Sequence, residues 1–546
     1  MNEKFSFKPT EAILLTDGYK LDHRRQYPDG TQFVYSNWTP RTCKFYPEAH
    51  EGAVVFGIQR LIQKFFIQEF NENFFKLPKE VAVNGFKRRV DSFLGPNQVG
   101  KDHIAALHDL GYLPIEVRAL PEGTVCPIGV PAMTVINTLP EFFWITNYLE
   151  TLLSTELWMP MTSATTARLF KKRLMKHMKK VGVKMSNTDL GFLCHDFSMR
   201  GMPGVDAAVM SALGHLTAFN GSETIPAIEA AERLYDANAE KELIAATVPA
   251  TEHSVMCAGE KEKELETFER LITKVYPSGF VSIVSDTWDF WKVITEFMPA
   301  LHDTIMSRNG RVVIRPDSGD PVDIICGLPK DKVVYENDKI YYFPDLNIPE
   351  AEHQISKWFR NPSLYSNELA KYEVSEAQVK GAYECLMDTF GYTTNEAGYK
   401  ILDTHIGMIY GDSITLERQN EIYNRLEVKH IAGTNLVLGI GSYTYQFKSR
   451  DSLGFAMKAT WCQVNDEPRE IFKCPKTDGG MKKSLKGLIQ VTKENGKYVA
   501  HDQATTEKAF CHTELAPVFR NGEFLKRFTL AEIRENVNKS IEEAED

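Results

Sequence analysis

RVVIRPDSGDP, residues 311–321, joins an apolar run to a charged turn. Val312, Val313 and Ile314 are β-branched and consecutive, the pattern of a strand buried on both faces. The run stops at Arg315, Pro316, Asp317, Ser318, Gly319 and Asp320. An arginine, two carboxylates and a turn glycine at a strand end present charge at one edge of a sheet, which is unusual unless something charged binds there.

The pattern recurs. VSIVSD (281–286) ends in a carboxylate, IGMIYGD (406–412) in Gly-Asp, and LVLGIGS (436–442) in a glycine-rich turn. GFLCHDF (191–197) is followed by Ser198, Met199, Arg200 and Gly201, and LIAATV (243–248) leads into Pro249, Ala250, Thr251, Glu252 and His253. Helix-like segments lie between most of these runs, so the expected arrangement is a parallel sheet. Polar residues gathered at the C-terminal ends of such strands are how a β/α barrel builds an active site. Any one of these aspartates could instead cap the next helix; six strand ends together favour a site.

The composition is that of a large globular protein: 546 residues, 43% hydrophobic and 25% charged, enough for two or more domains. A net charge of −10 offers no general attraction to nucleic acid. The nine cysteines are scattered and form no CxxC, which fits a reduced cytoplasm better than a disulfide framework. The first residues, MNEKFSFKPTEAILLTDGYK, lack the apolar core of a signal peptide, and no run approaches the roughly 18 apolar residues of a membrane span.

Along the chain, 32–36, 112–118 and 132–138 read as strands, while 53–70 and 141–157 read as helical. The β/α pattern occupies 161–430 and is interrupted at about 321–400 by a polar, aromatic segment expected to hold a small hairpin and one helix over 375–390. Residues from 430 to 530 return to strands and turns, and a charged helix is expected from 533 to the end.

Several residue sets could bind anions. Gly411-Asp412 and Gly439-Ile-Gly441-Ser442 could offer backbone N–H groups to a phosphate. Arg200, Arg315 and Arg450 could bind further oxygens. Lys473, Lys476, Lys482, Lys483 and Lys486 crowd one glycine-containing loop, either a solvated turn or a phosphate site. Asp286, Asp317 and Asp412 suit sugar hydroxyls, or a Mg²⁺ that bridges a diphosphate. His253 is a candidate acid/base or phosphorylatable group, or a structural histidine. Phe197 could stack on a flat ring or pack in the core. No zinc spacing, P-loop, GxSxG elbow or GxGxxG fingerprint is present. These residues alone point to a β/α-barrel enzyme acting on a phosphorylated sugar.

An ordered series of longer words goes further: TDGYKLDHRRQYP (16–28), LPIEVRALPEGTV (113–125), HDFSMRG (195–201), TVPATEHS (247–254), VSIVSDTWD (281–289) and IRPDSGDP (314–321). GDSI (411–414), SRD (449–451) and KKSLKG (482–487) continue it. Through them the chain resembles the nicotinamide phosphoribosyltransferase family of type II phosphoribosyltransferases along nearly its whole length. The resemblance implies an irregular β/α barrel plus an α/β domain formed by both chain ends: 161–430 for the barrel, 1–160 together with 431–546 for the other domain. It implies a homodimer with shared active sites, and condensation of nicotinamide with 5-phosphoribosyl 1-pyrophosphate in the cytoplasm. Mg²⁺ would be held mainly through pyrophosphate, and ATP would stimulate by phosphorylating His253.

The resemblance also assigns roles. Phe197 and Tyr19, the latter from the second subunit, would sandwich the pyridine ring, and Arg315 would meet the carboxamide oxygen. Glu223 stands where the family's animal members have an aspartate that accepts the carboxamide N–H, so the pocket must absorb an extra methylene. Asp317, Gly411, Asp412 and Arg450 would hold the ribose phosphate part, with Gly441 and Ser442 nearby; Ser442 replaces a usual glycine. Arg41, Lys458, Lys473 and Lys482 would bind phosphates, and Asp286 would join His253 at the phosphorylation centre. Arg200, Thr247 and Ser282 complete the substrate-binding set. The nearest alternative is the same fold acting on nicotinic acid, whose carboxylate the acidic Glu223 should repel. A binding protein that has lost turnover and an aldolase-type barrel are further options; the second lacks a Schiff-base lysine at any of the strand ends.

Overall fold

The computed structural model describes residues 11–344, 371–411, 413–473 and 485–544. The apolar runs form one parallel sheet of six strands, in the order Gly221–Ser222, Cys194–Asp196, Leu436–Ile440, Ile406–Tyr410, Asn309–Arg315 and Ser278–Val284. Val281, Ile283, Val312, Ile314, Met408, Leu438 and Ile440 are all buried, as strands covered on both faces require. The expected strand at 243–248 does not form. Residues 243–250 make isolated bridges instead, Gly221↔Ala246 at one sheet edge and Ala250↔Ser282 at the other. Ala246 N donates to Asn220 O at 2.8 Å, and Ser282 N donates to Pro249 O at 2.8 Å. Pro249 has no N–H for a ladder, and the segment must cross between the two edges, so it closes an irregular barrel as a seam.

Seven strands form a second, antiparallel sheet: Glu467–Glu470, Ala456–Val464, Thr31–Thr39, Met133–Asn137, Ile115–Ala119, Ala516–Arg520 and Glu523–Phe524. Three strands from the N-terminal part of the chain are therefore flanked on each side by two from the C-terminal part. The middle strand of this sheet is Met133–Asn137; on the adjacent Thr31–Thr39, Trp38 stacks on Phe455 with ring centroids 5.0 Å apart. The parallel sheet takes in Leu436–Ile440, past the boundary expected at 430.

The helical stretch expected to end at 157 runs on as Glu150–Lys180 with Pro160 inside it. The interruption after 321 holds a hairpin, Val333–Glu336 with Lys339–Tyr342, turned by Asn337 and Asp338 in left-handed backbone, and a third strand, Tyr372–Val374. The helix expected over 375–390 is two, Glu376–Lys380 and Ala382–Phe390. Gly381 breaks it with φ +87°, where a Cβ would overlap the backbone of Gly327. At the end of the chain, a capping box at Thr529 starts Leu530–Glu542. Arg534 of that helix donates to the carbonyls of Leu216, Leu243 and Ile244, fastening it to the start of the barrel seam.

Glu122 is buried, and its carboxyl accepts a hydrogen bond from Gln59 N at 2.7 Å. Burial pushes this carboxyl up to about 7 from an ordinary 4.5, against the hydrogen bonds from Gln59, Gly57 and Ile58. Between those two values the folded chain holds a proton that the unfolded chain has lost, so this contribution to stability is full below 4.5 and declines as pH rises to about 7. Glu122→Gln should therefore raise the thermal midpoint at pH 8, by up to roughly 3 kcal/mol in stability, with the gain fading towards pH 5. A gain that grew on acidification instead would contradict the raised carboxyl.

Candidate active site

The rim of the barrel is built around Asp196, the last residue of its strand and fully buried. Its Oδ1 accepts from Ser198 N (3.0 Å) and Ser198 Oγ (2.6 Å), and its Oδ2 from Ser222 Oγ (2.8 Å) and Thr224 Oγ1 (2.9 Å). Its carbonyl accepts from Glu223 N at 3.0 Å. Two adjacent strand ends are thereby tied together, fixing Phe197 on one and Glu223 on the other. Phe197 N also donates to Ile440 O at 2.9 Å, and the Phe197 ring lies 4.7 Å from that of His195.

Glu223 Oε1 is 3.0 Å from His195 Nε2 and also accepts from the Thr247 hydroxyl. Partial burial pushes the Glu223 carboxyl up, but the bonds from His195 and Thr247 and the charges of His195 and Arg315 outweigh it and hold the group below its ordinary range. Arg315 ends its strand beside this group, donates to the Thr251 carbonyl, and keeps a buried Nε with no partner. Ser282 lies buried beneath, its hydroxyl also unpartnered.

A second set of groups follows the next strand ends. Asp286 Oδ2 accepts from Asp317 N at 2.9 Å, while its buried Oδ1 takes no hydrogen bond and stands 3.8 Å from His253 Nε2. His253 is half exposed, with Nδ1 3.1 Å from Thr287 Oγ1. Gly411 lies directly against Asp317, where a Cβ would overlap its Oδ1. Gly441 precedes the short helix Ser442–Gln446, and the Ser442 hydroxyl covers Gly201 so closely that a side chain there would collide with it. Arg200 is exposed on the Met199–Gly201 turn.

The predicted phosphate residues gather elsewhere, around the antiparallel sheet. Arg41 donates to Gly454 O at 2.9 Å; burial and the neighbouring charge of Arg450 lower its affinity for a proton. Lys458 is likewise held down by burial and by the charges of Arg41, Lys473 and Lys20, against Glu150. Half-buried cations that repel one another have the electrostatics that would suit an anion. Lys486 of the predicted lysine loop is instead occupied by Glu470 at 3.5 Å and by the face of Phe472. Tyr19 is 63% exposed, with Lys20 Nζ 5.0 Å from its ring. Among the described residues no ring contact joins Tyr19 to Phe197 within the chain. Asp412 and Lys482 lie outside the described residues. Among the described residues no group of three or more His, Cys, Asp or Glu could hold a metal ion.

His195, Asp196 and Thr251 were not singled out as site residues from the sequence. The signal for the first two was their place in HDFSMRG beside Phe197, and for Thr251 its place in TVPATEHS beside His253; its carbonyl meets Arg315 while its hydroxyl accepts from Val284 N at 2.9 Å.

A parallel barrel with acids and an arginine at one rim, and a separate cationic patch, defines an enzyme of the phosphoribosyl-transferring class. Residues 192–523 match the model of the nicotinate phosphoribosyltransferase (NAPRTase) family, and 11–117 match the nicotinamide phosphoribosyltransferase N-terminal domain. A nicotinamide phosphoribosyltransferase of Acinetobacter baylyi is 44% identical over 99% of both chains; one of Mycoplasma pneumoniae is 30% identical over 88% of this chain and 96% of its own. The fold is similar to that of nicotinate-nucleotide pyrophosphorylase from Pyrococcus furiosus, with TM-score 0.50 and 14% identity over 100% of this chain and 98% of the other. The chain belongs to the nicotinate phosphoribosyltransferase family, and within it to the nicotinamide phosphoribosyltransferases.

Because Gly411 leaves room for the Asp317 carboxylate, Gly411→Ala should displace that group. Turnover is expected to fall about tenfold or more, with the thermal midpoint unchanged. Full turnover in this variant would mean that the position of Asp317 is not critical.

Proposed function

We propose that this protein condenses nicotinamide with 5-phosphoribosyl 1-pyrophosphate to give nicotinamide mononucleotide and pyrophosphate, a step of NAD salvage. The observation that carries the reading is the grouping of Phe197, Glu223 and Arg315 at one rim: a ring face, a carboxylate acceptor and a guanidinium donor. A carboxamide offers both an N–H and a C=O, and so matches that pair. The names of the relatives support the same substrate.

The pyridine nitrogen has a free lone pair, so no base is needed to make the nucleophile. It attacks ribose C1, the C1–O bond breaks, and pyrophosphate leaves with the bonding electrons. The residues must hold the ring in line and accept the charge of the leaving group. Phe197 supplies one ring face; positioning of this kind can contribute up to about 7–11 kcal/mol. Asp317 and Asp286 favour the cationic ribose, and Arg41, Arg450, Lys458 and Lys473 suit the phosphates. Asp286, whose Oδ1 is unpartnered, and the neighbouring Asp317 would suit a Mg²⁺ carried in by the diphosphate. When bound, that ion would neutralise charge on the departing pyrophosphate.

The same reading includes ATP. His253 is half exposed, as a group that accepts a phosphoryl from ATP and releases ADP must be, and Asp286 and Thr287 stand at its two nitrogens. It also includes a homodimer that brings the partner's Tyr19 over the ring. The exposure of Tyr19 supports this, as does the exposed pair Tyr443 and Phe447, 4.6 Å apart on the rim helix and at its C-terminal end. A cytoplasmic setting suits the eight described cysteines, all free thiols. No helix of the described residues is long and apolar enough to cross a membrane.

Arg315 favours a second reading, in which the acceptor is nicotinic acid and the guanidinium takes its carboxylate. The deciding assay runs nicotinamide and nicotinic acid side by side with phosphoribosyl pyrophosphate and Mg²⁺, with and without ATP. Nicotinamide mononucleotide should dominate, and ATP should stimulate the wild type but not His253→Ala. Nicotinic acid mononucleotide as the main product would overturn the role given to Glu223, and stimulation surviving in His253→Ala would overturn the role given to that histidine.

Shared sites are tested by mixing Tyr19→Ala and Asp317→Ala proteins after confirmed subunit exchange. Each alone should be nearly inactive and the mixture should regain up to about a quarter of wild-type activity, because half the dimers are mixed and each holds one intact site. No recovery would place Tyr19 and Asp317 in different sites or in one chain's site.

A further inference from the structure

We infer that His195 is a positioning residue that sets the choice between amide and acid by clamping Glu223; the inference rests on the pyridine-binding reading above. A glutamate side chain is long and flexible, so its carboxylate must be held if it is to face a ligand consistently. Two donors converge on one of its oxygens: His195 Nε2 at 3.0 Å and the Thr247 hydroxyl both meet Oε1. Among the described residues Oε2 takes no hydrogen bond and is left for a carboxamide N–H.

The histidine is itself fixed. Its side chain is only 9% exposed, its ring packs on Phe197 at 4.7 Å, and its strand pairs with Gly221, where a Cβ would press on Nδ1 at 2.6 Å. With Nε2–H donating, the ring holds Glu223 on one side and the stacking phenylalanine on the other. A freed Glu223 could turn away from the ligand, leaving Arg315 to receive a carboxylate. His195 thus favours the amide by keeping a negative oxygen in the pocket. It touches neither the reacting carbon nor the leaving group, so its loss removes binding common to ground and transition states.

The test measures kcat and KM for nicotinamide and nicotinic acid separately, in wild type, His195→Ala, His195→Gln, Glu223→Ala and the His195→Ala/Glu223→Ala pair. His195→Ala should raise the nicotinamide KM about tenfold with kcat changed less, and lower the nicotinamide-to-nicotinic acid ratio of kcat/KM by a similar factor. Glutamine can present its amide N–H near the Nε2 position, so His195→Gln should recover most of the ratio. In the Glu223→Ala background, His195→Ala should leave the ratio unchanged. Equal losses on both substrates would show only support of Phe197 and overturn the clamp, as would a further fall of the ratio without Glu223. Thermal midpoints identify variants that fail to fold; if His195→Ala is one of them, Thr247→Val carries the test, because it removes the other donor to Oε1: it should lower the ratio while His195→Gln stays near wild type, and an unchanged ratio in Thr247→Val would overturn the clamp. A wild type that prefers nicotinic acid would instead refute the substrate reading beneath it.

Discussion

Asp196 is a carboxyl group with no solvent exposure, and four hydrogen bonds converge on its two oxygens. A buried carboxyl short of partners costs several kcal/mol, so a strand end that carries one holds only where neighbours supply the donors. Here Ser198, Ser222 and Thr224 supply them, from the loop after its own strand and from the adjacent one. Moving either loop would leave the carboxyl unsatisfied. That constraint makes the distance between Phe197 and Glu223 a property of the barrel rather than of two flexible loops. The proposed ring pocket takes its geometry from a residue with no exposed surface of its own.

Charge is divided between the two sheets. The net charge is −10, yet the charge of Arg450 weakens the hold of Arg41 on its proton, and the charges of Arg41 and Lys473 weaken that of Lys458. Concentrated in one place, they offer a local positive potential that the overall charge does not predict. The barrel rim carries the opposite balance, with Glu223, Asp286 and Asp317 around Arg315. The proposed substrates, a neutral ring, a sugar that becomes cationic and an anionic leaving group, would call for this division of charge between rim and patch.

Much of this was legible in the sequence, for physical reasons that differ between parts. The five strands at 194, 281, 312, 406 and 436 were readable because β-branched apolar runs have few alternatives to a buried strand. The seam was not: 243–248 has the same composition, but Pro249 and the need to span two sheet edges denied it a ladder. The break at Gly381 depends on the backbone of Gly327, far away in the chain. His195 meets Glu223 only because the Cys194–Asp196 and Gly221–Ser222 strands pair in the register His195↔Gly221, which no local pattern encodes. Arg41 and Lys458 are brought together by the antiparallel pairing that sets Asn37 opposite Lys458, so their joint role was reachable only through resemblance.

Coupling between a phosphoryl group at His253 and chemistry at the ribose, as proposed, needs a physical route, and the geometry offers one of a single residue. Asp286 has two oxygens with two different duties. One holds the backbone N–H of Asp317, and the other faces His253 without a hydrogen bond. A dianionic group placed on the imidazole would repel the second oxygen unless a cation came between them. Rotation of the carboxylate would release Asp317, whose own carboxylate has little room to move against Gly411. The less costly response is to recruit the cation. On this argument, phosphorylation does not push the site into a new shape; it raises the affinity of the existing one for a metal-bound diphosphate.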